Sequence, residues 1–178
     1  MKKILLTLAV CLGAAFSAHA QEWTVGGRIG SGLQAVGSYS LSDKTYVEGR
    51  VGLGWFGGIA ADVTALHMWN IMTMDWTPSA GQWFFDAGAG VNGGGGAPSG
   101  YAGTCIRANF GYVGGAGCAK LGIKFNNVPI RLAFDWTPVF GVDFVNVVDK
   151  EGIVAPIHQA GFYGTGLGNF GISCEYCF

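Results

Sequence analysis

The sequence predicts an all-β fold, an eight-stranded antiparallel up-and-down transmembrane β-barrel. Three observations carry the prediction. Apolar residues alternate with small or polar ones at a period of two through much of residues 21–178, the mark of strands whose two faces meet different media. Half of all residues are hydrophobic and mean hydropathy is +0.36, yet no segment of 21–178 reaches the roughly 18 continuous apolar residues of a spanning helix. The 32 glycines weigh against an all-helical fold, since glycine weakens helices. High apolarity without a spanning helix leaves a rich soluble core or a barrel whose apolar face looks at lipid. Where the aromatics and charges fall decides between the two.

Residues 1–20 read as a secretory signal. Lys2 and Lys3 form a basic start, residues 4–16 a short apolar run, and Ala18-His19-Ala20 a small-residue cleavage site, so the mature chain is expected to begin at Gln21. The apolar run is too short for an anchor. Val10 before Cys11 is not the small residue that a lipid-attachment signal requires. The double lysine and brevity suit Gram-negative export. Residues 21–178 have the size of one domain. Net charge is −1 and only 12% of residues are charged, so nothing points to nucleic acid.

In chain order, residues 22–31 place Trp23, Val25, Gly27 and Ile29 on one face and Thr24, Gly26, Arg28 and Gly30 on the other. Gly32 is the expected turn, and residues 33–41 return with Leu33, Ala35, Gly37, Tyr39 and Leu41 outward. A polar turn, Ser42-Asp43-Lys44, precedes a cleaner strand over 45–55. There Val47, Gly49, Val51, Leu53 and Trp55 oppose Tyr46, Glu48, Arg50, Gly52 and Gly54. After a turn at 56–58, residues 59–70 form a fourth strand whose phase stays open, because Asp62 and His67 cannot both be placed well. Residues 71–81 read as irregular. They hold Asp75-Trp76-Thr77-Pro78, which recurs at Asp135-Trp136-Thr137-Pro138; the copies fall at opposite barrel ends, so the match reads as coincidence.

The fifth strand, 82–92, alternates Trp83, Phe85, Ala87, Ala89 and Val91 with Phe84, Asp86, Gly88, Gly90 and Asn92. Residues 93–109 read as a glycine-rich loop with a flexible tip. The sixth strand, 112–125, sets Ala119, Leu121, Ile123 and Phe125 against Cys118, Lys120, Gly122 and Lys124. After a turn at 126–129, the seventh, 130–137, sets Ile130, Leu132, Phe134 and Trp136 against Arg131, Ala133, Asp135 and Thr137. Residues 139–164 read as a long loop or extended hairpin tip. From about Thr165 the last strand runs to Phe178, with Phe170, Ile172, Cys174, Tyr176 and Phe178 on one parity and Gly171, Ser173, Glu175 and Cys177 on the other.

Trp23, Trp83, Phe125, Tyr176 and Phe178 gather at one set of strand ends; Trp55, Trp136 and Phe140 gather at the other. Aromatics at both rims match the interfacial girdles of a membrane barrel. In-strand charges fall mainly on the opposite parity: Arg28, Glu48, Arg50, Asp86, Lys120, Lys124, Arg131, Asp135 and Glu175. A soluble sandwich would turn these charges to bulk water. The chain resembles small outer-membrane barrels of the OmpX and OmpA type. Residues 121–141 (LGIKFNNVPIRLAFDWTPVFG), the FYGTG that follows and 37–58 (GSYSLSDKTYVEGRVGLGWFGG) resemble an uncharacterised family of small outer-membrane β-barrels. The resemblance implies the cell outer membrane, contact with its lipid, and recognition by the barrel-assembly machinery through the terminal strand ending at Phe178. It implies no activity.

The nine inward charges are expected to pair in a narrow, side-chain-filled lumen, since isolated burial is costly; a structural polar core and an ion path or ligand site are the two readings. No catalytic, cofactor or metal residue is expected. A lipid-modifying barrel enzyme would need His67 or His158 beside a serine and an acid at the rim. A soluble lipocalin-like carrier would put Leu132 and Phe134 inside and Arg131 and Asp135 outside. Cys105 and Cys118 are the candidate disulfide; Cys174 and Cys177, three apart on a strand, point to opposite faces. The third and fourth loops, 93–109 and 139–164, are the expected extracellular binding elements, for a protein or surface ligand.

Overall fold

The structure, a computed structural model, describes residues 23–54, 58–98, 107–148, 154–162 and 166–178. The expected export signal, Trp55 and Cys105 lie outside these residues. Ten strands follow one another: β1 (Trp23–Ile29), β2 (Gly32–Ser42), β3 (Thr45–Gly54), β4 (Gly58–Met74), β5 (Gly81–Pro98), β6 (Arg107–Phe125), β7 (Ile130–Trp136), β8 (Val139–Val148), β9 (Val154–Phe162) and β10 (Phe170–Cys177). They make eight staves. β7 and β8 are one stave interrupted at Thr137 and Pro138, where the Pro138 carbonyl still accepts the Gly117 N–H at 2.9 Å. β9 and β10 are another, interrupted by a 3-10 turn at Gly166–Gly168.

All pairings are antiparallel, and the sheet closes on itself where β10 pairs with β1 and where β5 pairs with β6. From Gly26 the register runs through Val36, Arg50, Thr64 and Asn92 to Gly114 on β6. In the other direction it runs through Glu175 and Arg131 to Lys124, ten residues away on the same strand. Eight staves with that stagger require a strand tilt of about 40°.

The strands whose phase the sequence sets show the expected alternation. Leu33, Val51, Phe134 and Ile172 stand on the outer surface, the last 60% exposed, while Arg28, Lys120 and Asp135 are fully enclosed. The soluble-carrier arrangement is thereby reversed: Leu132 and Phe134 are outside and Asp135 inside. The fourth strand's phase is also settled. Thr64, Leu66 and Met68 turn inward; Val63 and Trp69 turn outward, with His67 on their parity.

Several boundaries differ from the sequence reading. β4 continues to Met74, because a bulge between Asn70 and Met72 breaks the alternation but not the pairing with β5. The irregular segment shrinks to residues 75–80. Residues 93–98 are strand, not loop: β4 and β6 flank them on both sides, and pairing overrides the poor strand propensity of glycine. Within residues 139–164, Val139–Val148 and Val154–Phe162 are strands, β8 and β9, paired antiparallel. The first turn lies at Gly30 and Ser31, with Gly32 already paired to Gly54. The last strand starts at Phe170, later than expected, since Trp136 on β7 pairs no further along it.

The barrel is lopsided. β1, β2 and β3 have seven, eleven and ten residues, whereas β4, β5 and β6 have 17, 18 and 19. Beyond β7 and β10, β6 pairs with β8 and β8 with β9, so a sheet stands clear of the rim.

Candidate functional site

The lumen is filled by an ion-paired plug. Arg28 on β1 reaches across β10 to Asp135 on β7, its Nε donating to both carboxylate oxygens at 3.0 and 2.9 Å and its Nη2 lying 2.8 Å from Oδ1. Its Nη1 donates to Gln34 at 2.9 Å and its Nη2 to Asn169 at 3.2 Å. Asp135 also accepts Arg50 Nη1 at 3.2 Å and the Thr137 hydroxyl at 3.0 Å. Arg50 donates Nε to Glu48 at 2.7 Å and Nη2 to the Cys118 sulfur at 3.4 Å. Lys120 on β6 binds Glu48 on the far side of the lumen and Glu175 at 3.2 Å. Glu175 is further held by Thr24 at 2.8 Å and Ser173 at 3.0 Å.

Toward the end where β1 begins and β10 ends, Arg131 lies 3.5 Å from Glu175, with its guanidinium over the Tyr46 and Phe84 rings at 5.1 and 4.7 Å. Tyr46 and Asn70 donate to Asp86 at 2.7 and 2.8 Å. A cavity of about 220 Å³ opens beside these groups, with Lys124 at its edge. Burial of this many charges is tolerable because each carboxylate carries several donors; an uncompensated buried charge would be far costlier. Close approach requires glycine at two points: a Cβ at Gly171 would fall on the Arg28 guanidinium, and one at Gly122 on the Phe84 ring.

Of the nine inward charges read from the sequence, the structure joins Arg28, Glu48, Arg50, Lys120, Arg131, Asp135 and Glu175 through ion pairs. Asp86 is enclosed but bound by neutral donors. Lys124 is exposed at the mouth and stands apart from the pairs, because β6 has left the lumen by that residue. Gln34, Tyr46, Asn70, Thr137 and Ser173 were missed as partners, although most share the parity of the charges. Asn169 sits in a turn, where no periodicity could flag it. Gln34 also donates to Asp62 at 2.6 Å.

Cys118 is a free thiol facing the plug, so the sequence-based pairing with Cys105 is not what occupies it. Cys174 is exposed on the outer face. Among the described residues no group of three or more His, Cys, Asp or Glu is placed to hold a metal ion. His67 packs against Trp69 at 4.6 Å, between Val47 and Ala89 on the neighbouring strands. The side chain of His158 is not among those described.

Aromatics mark both rims. Trp23 packs on Tyr39 at 4.7 Å, Tyr176 on Phe178 at 5.1 Å, and Trp83 on Trp76 at 5.3 Å while donating to Thr77 at 2.8 Å. Phe125, the last residue of β6, is half-buried at the same end. At the other end of β7, Trp136 packs near Phe170 at 6.3 Å and donates to the Leu167 carbonyl at 2.6 Å.

Among solved structures, the N-terminal β-barrel domain of Pseudomonas aeruginosa OprF superposes with a TM-score of 0.53 at 11% identity. The match covers 88% of this chain and 96% of that domain. The fold is an OmpA-type barrel. No family model matches the chain, and no curated protein matches it in sequence. Within the OmpA-type barrel, the two copies of Asp-Trp-Thr-Pro play unlike parts. Asp135 is a plug residue, whereas Asp75 lies in an exposed turn.

Proposed function

We propose that the chain is an integral protein of a Gram-negative outer membrane, exported by a signal removed after Ala20. Its role is structural or adhesive, exercised through residues 93–109 and 139–164, the expected third and fourth extracellular loops. The observation that carries this reading is an outward apolar surface wrapped around an ion-paired lumen. Such a surface is stable only where acyl chains cover it. The plug fills the barrel with side chains, which suits a scaffold rather than an open channel. Its partners are outer-membrane lipid, the assembly machinery that reads the strand ending at Phe178, and a protein or surface ligand met by these loops. The reading assigns no catalytic step: His67 points outward against Trp69, away from the enclosed acids.

Two measurements test it. The mature protein is expected in the outer-membrane fraction and to migrate differently on gels before and after boiling; recovery in the soluble periplasmic fraction overturns the membrane assignment. Replacing residues 145–157 with a two-residue turn is expected to keep the heat-dependent mobility while abolishing surface adherence of cells that display the barrel. Unchanged adherence overturns the adhesive role alone.

A further inference from the structure

The alternation of the barrel wall does not stop at the short rim. On β6 and β8 the outward positions remain apolar: Val113 pairs with Val142, Gly115 with Phe140 and Gly111 with Phe144. Val113, Phe140, Val142 and Phe144 are between 39 and 57% exposed. The inward positions at the same level are polar, with Tyr112 opposite Asp143 and Asn92 opposite Gly114. From Gly111 to Ile123 on β6 and from Phe140 to Phe144 on β8 the outward parity carries no charge; Arg107, at the far end of β6, is the first charged residue on that parity. A hairpin projecting into water has no reason to keep one greasy face, and apolar patches of this kind mark an interaction surface.

The dimensions point to what covers it. At about 3.3 Å per residue and a tilt of about 40°, the seven residues of β1 rise about 18 Å and the nineteen of β6 about 48 Å. A transmembrane barrel needs an apolar band about 25 Å tall. One wall falls short of that band and the opposite wall exceeds it. The excess is continuous with the belt below: Leu121 and Ile123 lead up β6 through small residues to Val113.

We propose that the outer face of β6 and β8 around Val113, Phe140, Val142 and Phe144 rests in membrane acyl chains. The barrel axis then leans toward β6 and β8, and the bilayer thins beside β1. Mismatched spans are accommodated in just these ways, by tilt and by local thinning. The inner face of these strands and the outer edge of β9 are left for a partner. The inference rests on the membrane reading above and deepens it.

The test uses the unaltered mature chain, methyl-labelled at Ile, Leu and Val, in phosphatidylcholine nanodiscs. Line broadening is measured with a lipid carrying a doxyl group near the headgroup, and separately with a water-soluble gadolinium chelate. Methyls of Val113 and Val142 are expected to broaden at least twofold more with the lipid probe than with the chelate, as Leu132 and Ile172 do in mid-belt. Stronger broadening by the chelate at Val113 and Val142, with Leu132 and Ile172 still lipid-broadened, places the face in water and overturns the inference alone. Protection from both probes together with contacts between copies places a second copy there and also overturns it. Chelate broadening at Leu132 and Ile172 overturns the membrane reading and this inference with it.

Discussion

The two sides of the lumen are filled by different chemistry. On one side, β1, β3, β7 and β10 supply Arg28, Glu48, Arg50, Asp135 and Glu175, answered by Lys120 from β6. On the other, Leu66 and Met68 of β4 pack with Ala116, Cys118 and Val139 of β6 and β8, and with Tyr46. The ionic side gains specificity, because each carboxylate must meet its own donors and a strand that slips by one residue would turn its charges to the outer face. The apolar side gains only packing, and its contacts would tolerate a change of partner.

Breaking the ionic side is expected to have the largest effect. Asp135→Ala strands Arg28 in the lumen, leaves Arg50 with Glu48 alone, and should cost about 3–5 kcal/mol, measured as the urea midpoint in liposomes. The apolar counterpart, Met68→Ala, removes a fully enclosed side chain and should cost about 2–4 kcal/mol, scaling with the cavity left behind. Gly171→Ala drives a methyl into the Arg28 guanidinium and should cost about 1–3 kcal/mol, with shifted NMR signals at Arg28 and Asn169 but not at Met68. Asp86→Asn keeps one acceptor oxygen for its two neutral donors, Tyr46 and Asn70, and so loses one hydrogen bond, a loss of about 1 kcal/mol. A loss as large as that of Asp135 would place Asp86 within the plug. His67→Phe, on the outer face, should change stability by less than about 0.5 kcal/mol.

The same contrast explains what could be read from the amino acids alone. Wherever a strand carries charges, as β3 does with Glu48 and Arg50, they label the inward parity and the phase follows. β4 carries apolar residues on both parities, Leu66 and Met68 inward with Val63 and Trp69 outward, so alternation was silent until its neighbours set the register. The plug residues were legible as a set, but their partners were not: pairs such as Lys120 with Glu48 join strands far apart around the ring. The extent of β5 was hidden for another reason. Residues 93–96 are all glycine, and nothing local distinguishes a paired glycine run from a loop. Ile71, the residue that makes the bulge, erased the alternation at the other end of β4.

The ring has a clasp, and the clasp is made from the first and last described strands. Thr24 lies against Cys177, and the Thr24 hydroxyl meets Glu175 across 151 positions of sequence. Contacts of such span form late, because the loop they close takes in the whole barrel. Until β10 has docked, β1 and β7 are each missing a neighbour and Arg131 lacks one of its carboxylates. The sheet is until then an open, edge-bearing curtain, and only the docking of these eight residues turns it into a cylinder.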